Sequence, residues 1–324
     1  MAGNILTRII LLLLAISGSI EAQHKTELFL QDFSNDQLKT GVEKQVSEFL
    51  TEINYAFFEQ REPSFNEQYV NKSADESVKA LWQTAKFKCS DTEIIEMLVK
   101  QPGGNYEIRN IPLIIMISAD SVAYEDAVIL LTPSGNIEDL YFGIELHQYK
   151  KLLRQRVSVT DFRRRQVILD FVENFRTAYN RKDIVFIDHV FSENALIIVG
   201  RVIKVDPDGE NYLSKNFEKQ KVELIRYNKS EYIKHLKEVF KRNLFIKVGF
   251  EDIEITQHRL YKNIYGVTLK QHWRSSTYSD KGYLFLMIDF KDEDNPKIHV
   301  RAWQPEEFTD PDSVISLGDF EIIQ

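Results

Sequence analysis

Apolar residues recur at steps of three and four in two separated stretches, Val46, Phe49, Leu50, Ile53 and Phe57 in the first and Ile168, Phe171, Val172, Phe175 and Tyr179 in the second. Each set falls on one stripe of a 3.6-residue period, which predicts two amphipathic helices. The sets superpose when the chain is shifted by 122 residues, and the same shift brings Phe65 onto Ile187 and Tyr69 onto Phe191. The chain reads as two copies of one plan. Farther along the offset grows, with Asn110-Ile111-Pro112 falling on Asn263-Ile264-Tyr265, which predicts an insertion in the second copy.

Past these points both copies become strand-like. In the first, Leu113 to Ser118, Ala127 to Leu131 and Ile137 to Leu146 are β-rich, with Pro133-Ser134-Gly135-Asn136 as a turn. In the second the runs are Tyr265 to Arg274, Tyr283 to Phe290 and Ile298 to Trp303, joined by connectors short enough for antiparallel hairpins. Ser230 is the expected N-cap of a further helix, Glu231 to Lys241, with Tyr232, Ile233, Leu236, Val239 and Phe240 on its buried stripe. The predicted fold is α+β: two tandem domains, each with N-terminal helices packed on an antiparallel sheet, over 36–153 and 160–308, followed by a tail, 309–324. Thr160 is the expected cap of the second domain's first helix. The basic stretch from Lys150 to Arg165 reads as a solvated helix end and linker.

Composition narrows the function classes. The 324 residues carry 41 Lys+Arg against 49 Asp+Glu, a net charge of −8, which argues against a nucleic-acid partner. Residues 1–22 hold one cation, Arg8, an apolar run from Ile9 to Ala15 and a small residue at Ala22, the anatomy of a signal peptide. Export to the periplasm or medium of a Gram-negative bacterium is the expectation, with no membrane span once that segment is removed. The single cysteine, Cys89, permits no intrachain disulfide. The seven histidines show no HxH or HExxH spacing, and there is no GxSxG or phosphate loop, so no metal or cofactor is expected. Asp292-Glu293-Asp294 reads as a polar hairpin tip rather than a calcium loop.

The stretch Ile168 to Phe175, followed by Tyr179-Asn180-Arg181-Lys182-Asp183, resembles the opening helix of the nuclear transport factor 2-like superfamily. Tyr265 to Trp273, Tyr283 to Leu286 and His299 to Pro305 are similar to the terminal strands of its exported members. The resemblance covers 160–308; the first copy joins it only through its match to the second. It implies a sheet wrapped round helices into a cone with a pocket at the wide end, a fold used for isomerases, dehydratases and noncatalytic binding alike, so the fold does not choose the function.

Within such a cone, alternation sets Tyr265, Val267, Leu269, Gln271 and Trp273 inward. For the last strand, either Ile298, Val300 and Ala302 or His299, Arg301 and Trp303 face the helices. Both faces of the sheet look apolar, which predicts an intrachain pseudodimer in which the sister sheet covers the outer face. The expected ligand-binding set is Tyr179, Gln271, Trp273, Tyr283, Arg301 and Trp303. The leading expectation is an exported noncatalytic module for a small, partly apolar ligand or an envelope protein. The resemblance also allows an isomerase or dehydratase with Tyr179 as donor and Asp289 or His299 as base, and a third reading is a purely structural envelope module.

Overall fold

The computed structural model describes residues 24–101, 103–118, 121–144, 162–205 and 219–320. The expected signal segment, Thr160, most of the basic stretch and the turn at Asp206-Pro207-Asp208-Gly209 lie outside the described residues. The chain divides into two compact units, Met1–Gly143 and Ile144–Gln324. Among the described residues no helix is long and apolar enough to cross a membrane.

The first unit runs β1 (Glu27–Gln31), α1 (Asp36–Phe58), α2 (Lys72–Thr84), β2 (Phe87–Cys89), β3 (Glu93–Lys100), β4 (Tyr106–Ser118), β5 (Ser121–Leu131) and β6 (Ile137–Phe142). Its six strands are ordered β1-β3-β4-β5-β6, with β2 beside β4. Asn35 caps α1 by accepting from the Leu38 amide at 3.1 Å. The predicted stripe Val46, Phe49, Leu50 and Ile53 is fully buried. Asn54 on the same helix holds the edge of the sheet, its Oδ1 accepting from the Cys89 amide at 2.8 Å. The helices-first plan misses β1, which precedes α1 and pairs in parallel with β3. Its burial alternates, but the outward Phe29 is apolar, so Leu28-Phe29-Leu30 shows no polar–apolar period in the sequence.

The second unit runs α3 (Phe162–Arg181), α4 (Ile184–Val190), β7 (Phe191–Val205), β8 (Lys219–Asn228), α5 (Lys229–Arg242), β9 (Ile246–Gln257), β10 (Ile264–Ser275), β11 (Ser279–Asp289) and β12 (Lys297–Pro305). The order is β8-β7-β12-β11-β10-β9, a sheet of six strands in which β12 and β7 run parallel. One side buries Ile168, Val172 and Phe175 of α3 against Val267, Leu269, Leu284, Leu286 and Ile288. On the other side Ile264, Phe285, Met287, Val300 and Ala302 form a separate core with Leu317, joined by Ile315 and Phe320. The chain's own C-terminal residues thus cover the outer face there.

Several local features recur between the units at the predicted shift. In α1 the amides of Gln60 and Arg61 bond back to Phe57 O and Ala56 O; in α3 those of Lys182 and Asp183 bond back to Tyr179 O and Ala178 O. Both endings place a non-glycine residue in the left-handed region, Gln60 and Lys182, each at φ 56°. In the first unit Val70 makes a single parallel bridge to Ile137 and the chain enters α2. In the second, Phe191 pairs in parallel with Ile298, and β7 continues before returning as β8. This hairpin is a wall that has no counterpart among the described residues of the first unit.

Candidate functional site

Helix α3 supplies the base of the site. Arg176 Nε donates to Val248 O at 3.0 Å and Asn180 Oδ1 accepts from the Val248 amide at 2.6 Å, so two buried polar side chains pin β9 to the helix. Phe175, one helical turn before Tyr179, meets its ring edge-on at 5.1 Å. Tyr179 is buried, with Trp273 edge-on at 6.0 Å, and its hydroxyl lies 2.7 Å from that of Tyr232 on α5. Burial holds the Tyr179 phenol well above the ordinary tyrosine range, and Tyr232 adds to the effect while Arg301 opposes it. It is a neutral hydroxyl at physiological pH.

Helix α5 starts differently from the sequence expectation. Its cap is Asn228, not Ser230: Asn228 Oδ1 accepts from the Glu231 amide at 2.9 Å and Glu231 Oε2 accepts from the Asn228 amide at 3.0 Å. The reciprocal pair requires a side-chain acceptor three residues before Glu231, which Ser230 is not. At its far end, Asn243 Oδ1 accepts from Ser276 Oγ, Thr277 Oγ1 and the Thr277 amide, while Lys182 Nζ donates to Asn243 O and Leu244 O. This hub ties α3, α5 and the β10–β11 hairpin together.

The sheet supplies the floor. Gln271 and Trp273 face inward on β10, and their β11 partners are Gly282 and Asp280. On β12 the register slips by one residue beside Met287 and Ile288, which pair with Val300 and Ile298. His299 is the surplus residue, a β-bulge. Neither alternation anticipated for this strand is right throughout: Ile298 joins the helix-side core, Val300 and Ala302 face outward, and Arg301 and Trp303 turn inward.

Between α5, the β7–β8 hairpin and this floor lies an open cleft of about 1060 Å³. Its apolar walls come from Val199, Ile225, Leu236, Val239 and Trp273, and Arg242 and Lys281 stand among its lining residues. Arg301, 6% exposed, stacks over the Tyr232 ring at 5.3 Å. Among the described residues no carboxylate lies within ion-pairing distance of it. Burial opposes its charge, whereas Tyr232, Tyr179 and Asp280 favour it. The Asp280 carboxyl is pushed above the usual carboxylate range by burial, an effect partly offset by a hydrogen bond from Tyr278 and the charge of Arg301. Three buried polar atoms here have no partner: Arg301 Nε, Trp303 Nε1 and Asp280 Oδ1. Two are donors and one is an acceptor.

Of the anticipated ligand-binding residues, Gln271, Trp273, Arg301 and Trp303 line the cleft, and Tyr179 lies beneath it against Tyr232. Tyr283 does not belong with them; it alternates with the inward Leu284 and shares the outward face of Phe285 and Met287. Asp289 and His299 also lie apart from Tyr179. They face each other across 3.9 Å beside the bulge, and Asp289 Oδ1 accepts from the Lys291 amide. No acid–base pair forms around Tyr179 from these three. The sequence reading missed Tyr232 and Asp280, the first taken only as a stripe residue and the second placed in a connector. Cys89 is buried, its thiol pushed up by burial, and plays no part here. Among the described residues no group of three or more His, Cys, Asp or Glu is placed to hold a metal.

No protein-family model matches the chain, and no curated protein matches it. Among solved structures it is similar to Bd1075 of Bdellovibrio bacteriovorus, at 19% identity and a TM-score of 0.33 over 52% of this chain and 46% of that one. The chain thus spans about half the length of that protein. It is similar to a candidate dehydratase of the nuclear transport factor 2-like family from Streptomyces avermitilis, at 11% identity and a TM-score of 0.30 over 43% and 95% of the two chains. A candidate ketosteroid isomerase from Shewanella frigidimarina matches at 14% identity and a TM-score of 0.29, over 43% and 94%. With these scores below 0.5, the fold is read from the strand order and helix placement themselves. The chain is α+β, with two sheets of six strands and helices set before the meander of each, the arrangement that the resemblance in its sequence implies.

Proposed function

We propose that the second unit is a binding module that takes a small, partly apolar ligand into the cleft between α5, the β7–β8 hairpin and the sheet, and does not turn it over. One observation carries this reading: a cleft of about 1060 Å³ with apolar walls has unpartnered polar atoms of Arg301, Trp303 and Asp280 at its base. Apolar concavities with a few convergent polar groups are the usual form of small-molecule sites. Among the described residues Asp289 and His299, the bases anticipated for isomerase or dehydratase chemistry, pair with each other rather than approach Tyr179, which favours binding over that chemistry. Export, expected from residues 1–22, and descent of the two units from one duplicated module belong to the same proposal. The matched helix endings at Gln60 and Lys182 support the duplication.

The test is thermal unfolding of the full chain against fatty acids, aromatic acids, sterols and oligosaccharides. Binding at one hundred times the dissociation constant stabilises by about 2.7 kcal/mol, which a melting curve resolves. A dose-dependent rise that Trp273→Ala removes is expected. No rise with any class would reject the reading.

A further inference from the structure

The unpartnered atoms at the cleft floor specify the ligand's chemistry, and we infer that the cleft takes a monoanionic carboxylate borne on a flat apolar body. The inference rests on the proposed binding role and adds the ligand class. Arg301 is a buried cation with no carboxylate within ion-pairing distance among the described residues. Its Cζ lies over the Tyr232 ring at 5.3 Å, and its Nε–H meets no acceptor. A guanidinium edge matches a carboxylate bidentately. The Trp303 indole N–H is a second idle donor on the same strand face, two residues along.

Charge arithmetic selects among anions. One carboxylate neutralises one buried guanidinium, whereas a phosphate dianion leaves surplus negative charge beside Asp280, whose carboxyl already resists ionisation through burial. Asp280 Oδ1 is an acceptor awaiting a donor, so a hydroxyl or amide N–H on the ligand body completes the set. The rest of the lining suits a planar hydrocarbon: Trp273, Val199, Ile225 and Val239 present apolar surface along its length.

The experiment is a matched trio of probes, 2-naphthoate, 2-naphthamide and 2-naphthyl phosphate, titrated into the full chain and followed by tryptophan emission and melting temperature. Two of the chain's three tryptophans line the cleft. Naphthoate is expected to bind at least tenfold more tightly than the amide and the phosphate. That preference should change less than twofold between 0.05 and 0.3 M salt, because a buried seat is screened far less than rim cations such as Arg242 and Lys281. Arg301→Met should abolish the preference: it removes the cation and its contact with the Tyr232 ring, so naphthoate, amide and phosphate should bind alike. Arg301→Lys, which keeps the charge but loses the fork, should weaken naphthoate, and Tyr283→Phe on the opposite face should not. Equal binding of naphthoate and the amide overturns the anion inference and leaves the binding module standing. Tightest binding by the phosphate overturns the monoanion assignment. No binding by any probe overturns the inference of a flat carboxylate ligand, whereas the binding module is rejected only when every class in the thermal screen also fails.

Discussion

Gly282 stands where the indole of Trp303 crosses β11, and replacing it by alanine probes the floor of the cleft directly. A methyl group there would lie 2.3 Å from Gln304 O and 2.7 Å from Cε2 and Nε1 of Trp303. Ordinary contacts between carbon atoms are about 3.5–4.0 Å, so the shortfall is roughly an ångström against atoms of which one belongs to the backbone and cannot rotate away. Overpacking of this kind costs about 1–3 kcal/mol. For a unit of 150–250 residues each kcal/mol is about 2–4 °C, so Gly282→Ala should melt roughly 2–12 °C lower than the wild type. The paired control is Gly249→Ala on β9, whose new methyl would meet only His272 Cβ at 3.8 Å, an ordinary contact. That variant should stay within about 0.5 kcal/mol. Differential scanning calorimetry gives both numbers, and the tryptophan emission maximum of Gly282→Ala should shift as the indole is displaced. Equal melting temperatures for wild type and Gly282→Ala would mean that Trp303 does not lie across that position, and the description of the floor would fail with it.

Two further outcomes are expected. Phe175→Ala, which empties a fully buried site beside Tyr179 and Phe191, should cost about 3–5 kcal/mol in a denaturant titration; a loss under 1 kcal/mol would show that α3 is not packed as described. Asp280 has a folded-state pKa raised above its unfolded value, so its protonation favours the fold. Stability from this group is greatest below the ordinary carboxylate range and declines as pH rises through the raised value. Asp280→Asn should therefore be more stable than wild type at pH 7, with the difference closing as pH falls toward 4, and a pH-independent difference would exclude Asp280 as the source.

The parts of the fold that were legible in the sequence are those where one periodicity runs unbroken. The stripes Val46 to Ile53 and Ile168 to Phe175 predict α1 and α3 because each helix buries one face continuously. The inward set Tyr265 to Trp273 holds because β10 is paired on both sides, its one irregularity lying on the β9 side between Thr268 and Lys270. The cleft was only half legible, for two physical reasons. Strand β11 begins at Ser279, and its first residues, Ser279-Asp280-Lys281, are polar because they border the open cleft, so they read as turn and Asp280 was lost with them. The β-signal reports burial more than backbone. Tyr232 looked like any other stripe residue on α5, because its hydroxyl finds its partner on a helix 53 positions away in the chain, a pairing that no local pattern records.

The bulge at His299 carries a consequence for how this chain tolerates change. Side-chain direction in β12 depends on a count of residues rather than on which residues they are. Delete His299, and the surplus residue alone is lost: Ile298 keeps its place in the helix-side core, Val300 and Ala302 still face Leu317, and the guanidinium of Arg301 and the indole of Trp303 still turn inward. Substituting His299 leaves the frame intact, since its side chain is partly solvated and makes only a long contact to Asp289. Lineages carrying this unit should accept many amino acids at that spot, and even its loss, but no single-residue insertion or deletion between Val300 and Trp303, a signature readable from sequences alone.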